Sequence, residues 1–153
     1  MTSIPKTAAQ LYEMDFVAWT EQTVQLIRDG QFEQVDWDAV IEEIESLGRS
    51  ERRELKSRLE VLLQHLLKWQ YQPSFRSGSW RNTIDQQRNR ITDLLQESPS
   101  LKSYPEEVLA QCYHRGLKAA SNETELPIDT FSVECPYSIA QVLDAEFLPD
   151  AIK

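Results

Sequence analysis

Residues 54–69 read ELKSRLEVLLQHLLKW, and this stretch decides the fold. Its apolar positions are Leu55, Leu59, Val61, Leu62, Leu63, Leu66, Leu67 and Trp69. At the angular step of a helix they cover well over half of the circumference. A helix apolar over that much of its surface has to be surrounded by others. The spacing therefore predicts a central helix over residues 50–72. It ends before Pro73 because the residue preceding a proline avoids the α region.

On the N-terminal side, Asp15 is placed to cap a helix running to about Asp29, with Gly30 as its stop. Met14 and Trp19 stand at the spacing of a hydrophobic staple, and Phe16, Trp19, Thr23, Leu26 and Ile27 share one face. Asp36 caps a second helix, with Val35 and Val40 as the staple pair and Gly48 as its expected end. Trp37, Val40, Ile41, Ile44 and Leu47 form its stripe.

On the C-terminal side a helix is expected over residues 79–97, with Trp80, Ile84, Ile91, Leu94 and Leu95 facing inward and the polar Gln87 in the middle of that stripe. Ser103-x-x-Glu106 has the pattern of a capping box and opens a fifth helix, with Pro105 in its first turn. Gly116 falls on that helix's inner face, where a glycine costs about 1 kcal/mol relative to alanine, so a close helix contact is expected there. Residues 122–137 lack periodicity and read as loop, with a short strand over 128–134 as the alternative. A second box, Ser138-x-x-Gln141, opens a short last helix, and Phe147, Leu148 and Pro149 pin the tail. The expected fold is all-α: one helical domain over residues 1–153 with its core in 11–149, a bundle of about five main helices plus a short C-terminal one.

Composition narrows the function classes. With 41% hydrophobic residues and four tryptophans, the chain of 153 residues is too apolar to stay unfolded, and its length is that of a domain needing no disulfide or metal staple. The net charge of −9 is unevenly spread. Residues 1–48 hold ten acids and two bases (−8), residues 49–90 ten bases and four acids (+6), and residues 91–153 eleven acids and four bases (−7). The overall sign disfavours a nucleic acid as partner, although the basic middle could meet an acidic one. Cys112 and Cys135 form no framework or Cys-x-x-Cys pair, the first residues lack the pattern of a secretory signal, and no apolar run is long enough to span a bilayer. A cytoplasmic protein with reduced thiols is expected.

Taken in order, Tyr12, Asp15 and Trp19, then Glu42-Glu43-Ile44-Glu45-x-Leu47-Gly48, His65-Leu66-Leu67-Lys68-Trp69, Ser79-Trp80-Arg81, Gln87-Arg88, Pro99-Ser100-Leu101 and Cys135-Pro136-Tyr137 make a specific combination. By these the sequence resembles the bacterial family catalogued as domain of unknown function 29, over residues 11–149. The resemblance implies a soluble helical fold, and no activity, cofactor or catalytic residue comes with it.

Two clusters carry candidate chemistry. Glu42, Glu43 and Glu45 with His65 are ligand types for zinc or non-haem iron, with Glu45 and His65 the candidate metal ligands if the two meet on neighbouring helices. The plain alternative is that the glutamates are solvated or ion-paired with Arg52, Arg58 or Lys68 in a structural network; separately, a half-buried structural His65 is expected to donate to Glu45 or Gln87. Arg49, Arg52, Arg76 and Arg81 are candidates for holding a phosphoanion or nucleic acid, because cations beside a helix N-terminus suit an anion. Neither cluster contains a nucleophile with its base. The favoured reading is a non-catalytic interaction or structural module without a cofactor, taking a protein partner or a second copy of itself. The anion binder and the metal-dependent enzyme follow in that order.

Overall fold

Asp15 starts the first long helix as its side chain dictates, its carboxylate accepting from the Ala18 amide at 3.0 Å. In the computed structural model, which describes residues 8–152, the elements are α1 (Ala8–Met14), α2 (Phe16–Arg28), α3 (Trp37–Tyr71), α4 (Gly78–Glu97), α5 (Tyr104–Thr124) and α6 (Ile139–Leu143), joined by short 3₁₀ turns. There is no strand among the described residues, so 128–134 is not one; a 3₁₀ turn occupies Ile128–Thr130. The all-α expectation holds. The first seven residues, on which the reading of the N-terminal segment partly rests, lie outside the described part.

The chain forms two compact units, one ending at Arg49 and the other beginning at Ser50. In the second, the expected hub is present. Leu55, Leu59, Leu62, Leu63, Leu66 and Leu67 are all fully buried. From Leu59 onward they share one core with Ile84 and Ile91 of α4, Val108, Cys112, Tyr113 and Leu117 of α5, and Val142 of α6. Gly116 lies at the expected close contact: a Cβ there would meet the Glu60 carbonyl oxygen at 3.0 Å and the Gln64 nitrogen at 3.2 Å. The tail is pinned as the sequence indicates, with Pro149 buried and Phe147 and Leu148 packed against the core. Ser138 and Gln141 close the capping box in both directions.

Four local expectations are corrected. Gly48 does not end a helix, because α3 runs through it without a break. Arg49-Ser50-Glu51-Arg52-Arg53-Glu54 beyond it is good helix-forming sequence, and a lone glycine costs only about 1 kcal/mol in a helix. Gly30 does act as a stop, with φ of +73°, a conformation that favours glycine. The second correction is the box at Ser103. The preceding 3₁₀ turn, Pro99–Leu101, leads Ser103 into αR geometry, and its hydroxyl lies 3.4 Å from Glu107 instead of capping the helix. The third is α1, a helix absent from the sequence expectations, whose last residue, Met14, is exposed and does not serve as a staple. The fourth is that α5 extends to Thr124, shortening the expected loop, and Glu125 follows in left-handed geometry.

Candidate interaction face

In the first unit, Tyr12 of α1 donates a short hydrogen bond to the Glu43 carboxylate of α3. That bond raises the Tyr12 phenol to about 12, with lesser contributions from desolvation and then from the negative charge of Glu43, Glu42 and Asp36. The Tyr12 ring meets Trp19 edge-on with centroids 4.7 Å apart, and Trp19 stacks on Phe16 at 5.7 Å. Only Trp19, Thr23, Val35 and Ala39 become buried among the described residues of this unit.

Helical phase explains the small core. Ala39, Glu43 and Ser46 lie on one side of α3, and Glu43 is the residue bonded to α1. Trp37, Ile41, Ile44 and Leu47 lie on another side, within about a third of the circumference. Those four are 44%, 52%, 63% and 68% exposed. Helix α2 divides in the same way. Trp19, Thr23 and Leu26 turn inward, whereas Phe16, Val17, Val24 and Ile27 are exposed, although Phe16 and Ile27 were expected on the inner face. Among the described residues, ten of the fourteen exposed large hydrophobic side chains fall between Met14 and Leu47, so the apolar surface is concentrated in this unit.

The sequence-predicted polar residues are engaged elsewhere. Glu42 takes a 2.9 Å bond from Arg49, and Glu45 lies 3.7 Å from the same guanidinium. Arg49, predicted as an anion ligand, is therefore the counter-ion of the glutamates, in place of the Arg52, Arg58 or Lys68 expected. Glu45 and His65 are not on neighbouring helices; both belong to α3. The half-buried His65 bonds through Nδ1 to the Val61 carbonyl at 2.9 Å, not to Glu45 or Gln87. Among the described residues no group of three or more His, Cys, Asp or Glu side chains is placed to hold a metal ion. Gln87 is half-buried and accepts from Arg58 at 3.3 Å.

The remaining candidate arginines also have separate partners. Arg52 lies over the Tyr104 ring at 6.0 Å. Arg76 stacks on Trp69 at 4.9 Å and donates to the Trp69 carbonyl at 2.9 Å. Arg81 pairs with Asp85 at 3.2 Å and lies 3.4 Å from the Ala145 carbonyl. An open cleft beside α3 and α4 is instead lined by Ser50, Arg53, Ser57 and Arg58, with Arg58 neutralised by Glu54 at 2.9 Å.

Sequence reasoning missed two buried cations. Arg88, one residue beyond Gln87, is 2% exposed; its Nε donates to the Val142 carbonyl at 2.9 Å, and an Nη nitrogen lies 3.5 Å from that of Gln141. Its guanidinium thus serves the last carbonyls of α6, where a cation is favoured. Lys68 is 5% exposed, 3.0 Å from Glu123 and 4.5 Å from the Trp80 ring centroid. The spacing from Ile84 to Ile91 could have pointed to Arg88 as readily as to Gln87, had a charged residue been admitted to the stripe. Cys112 packs as a small hydrophobe, its thiol pushed up to about 11 by burial, and burial raises Cys135 as well.

Burial also lowers the His65 imidazole below its ordinary 6.5, against the opposing bond to Val61 and with help from the Lys68 charge. The unfolded chain then takes up the proton first as pH falls. Stability should be greatest above pH 6.5 and decline from there down to the folded-state value. His65→Gln should flatten that part of the curve, as read by urea unfolding at about pH 7.5 and 5.5, above the carboxylate range.

No helix among the described residues is long and apolar enough to cross a membrane. The family model described as "Domain of unknown function DUF29" matches residues 11–148. No curated protein and no solved structure matches the chain.

Proposed function

This chain belongs to the DUF29 family, and on that premise we propose that it is a cytoplasmic, non-catalytic interaction module whose first unit presents its uncovered apolar face to another protein. The observation that supports this reading is the stripe of Trp37, Ile41, Ile44 and Leu47, each at least 44% exposed. Fully burying such side chains stabilises by about 1.5–3 kcal/mol each, so a face of this kind is a costly one to leave in water. The glutamates, His65 and the candidate arginines add support in a different way, since their charges and donors are directed at partners within the chain. An anion site remains a second reading because Arg53, Arg58, Ser50 and Ser57 line one cleft, although Glu54 offsets Arg58 there.

A photo-reactive amino acid at position 44 should form a discrete protein adduct in cells, and the same group at position 42, on the opposite side of α3, should not. Adding Leu47→Glu should abolish the adduct. Equal labelling from positions 42 and 44, or none from 44, would remove the basis for the proposal.

A further inference from the structure

We infer that the uncovered face of the first unit takes a basic amphipathic helix from another protein, apolar residues inward and Lys or Arg side chains along its edges. This rests on the reading of that face as an interaction surface and adds the chemistry of what covers it.

The spacing sets the shape of the partner. Trp37, Ile41, Ile44 and Leu47 recur at four, three and three residues, which is the ridge of a helix that packs another helix. The rim sets the partner's charge. Asp38 flanks the stripe on one side, next to Glu45, which Arg49 approaches at 3.7 Å, and Glu43, bonded to Tyr12, flanks it on the other. Residues 1–48 carry ten acids against two bases, and Glu13, Glu21, Glu33 and Asp38 have no cationic partner among the described residues. Counting Arg49, the unit holds ten acids and three bases, so a second copy meeting it face to face would bring −7 against −7; an anionic lipid surface would be repelled in the same way, whereas a helix edged with Lys or Arg is attracted.

The test uses the full chain and three labelled short peptides, read by fluorescence anisotropy at low and high salt. One is a helix of Leu and Lys with apolar residues at i, i+3, i+4 and i+7. The second replaces every Lys by Glu, and the third shuffles the Leu positions. The Leu/Lys helix should bind at least about tenfold more tightly than either of the others and lose affinity with salt. Asp38→Lys with Glu45→Lys, both at exposed positions that leave the core untouched, should weaken the Leu/Lys peptide and strengthen the Leu/Glu one. Ile44→Asp with Leu47→Asp should remove binding of both.

Equal binding of the Leu/Lys and Leu/Glu helices, lost in the Ile44→Asp, Leu47→Asp variant, would overturn the charge inference and leave the interaction face standing. So would sedimentation showing a dimer that the same variant splits, since the occupant would then be a second copy. Peptide binding unaffected by that variant, or no binding of the Leu/Lys helix at all, would overturn the inference; the cross-linking at position 44 would then decide the face separately.

Discussion

Leu62→Ala should lower the unfolding free energy by roughly 3 kcal/mol or more, the range found for leucine truncation in a core that cannot collapse around the gap. Leu62 is fully buried, as are Leu59, Leu63 and Leu66 around it. The lost methyl groups give up their transfer energy, and the cavity they leave adds to the cost. Leu47→Ala removes the same atoms from the same helix, but Leu47 is 68% exposed, so its change should stay within about 0.5 kcal/mol. Urea denaturation of the two variants side by side, followed by circular dichroism, checks both. A cost near zero at Leu62 would mean that the central helix is not the hub. A large cost at Leu47 would mean that its stripe serves stability and not recognition.

The second large effect is expected at Gly116. Alanine is worth about 1 kcal/mol more than glycine within a helix, so propensity alone predicts that Gly116→Ala stabilises. Packing predicts the reverse. The added methyl would sit 3.0 Å from the Glu60 carbonyl oxygen, 3.2 Å from the Gln64 nitrogen and 3.2 Å from the Leu63 Cβ. Two of those neighbours are backbone atoms, which cannot turn aside as a side chain can, so α5 has to lift from α3. Overpacking of this kind costs about 1–3 kcal/mol. A net loss of about 1 kcal/mol is expected for Gly116→Ala and about 3 kcal/mol for Gly116→Val. Gly78→Ala is the control, because nothing lies within 4 Å of a Cβ at that position. Thermal unfolding should find Gly78→Ala the most stable of the three variants, Gly116→Ala next and Gly116→Val the least stable.

Both positions are legible in the amino-acid sequence alone. The periodicity of residues 54–69 and the misplaced glycine at 116 both report packing through rules that hold along a single helix. The Asp15, Asp36 and Ser138 caps were legible because each bond stays within three residues. Gly48 and Ser103 were misread because a stop or cap signal works only if the neighbouring chain takes the matching conformation, and in both places it continues as helix or turn. The choice between Gln87 and Arg88 was lost because both positions flank the centre of the α4 stripe. Only tertiary structure places the carbonyls of Gln141 and Val142 where Arg88 can reach them. The apolar face of the first unit was visible as a stripe; that it stays open could not be read from spacing, since a pattern says which residues share a side and not what lies against it.

The guanidinium of Arg88 has a practical corollary for handling the protein. A helix of five residues has no independent persistence, and α6 survives because its first turn is closed by Ser138 and Gln141 while its far end is gripped from inside by a charged side chain. The segment behaves as a fitted clasp. Trimming the chain at residue 138 would strip Val142 from the core and strand a buried cation, so affinity tags and reporter fusions should be attached through a spacer beyond Ile152.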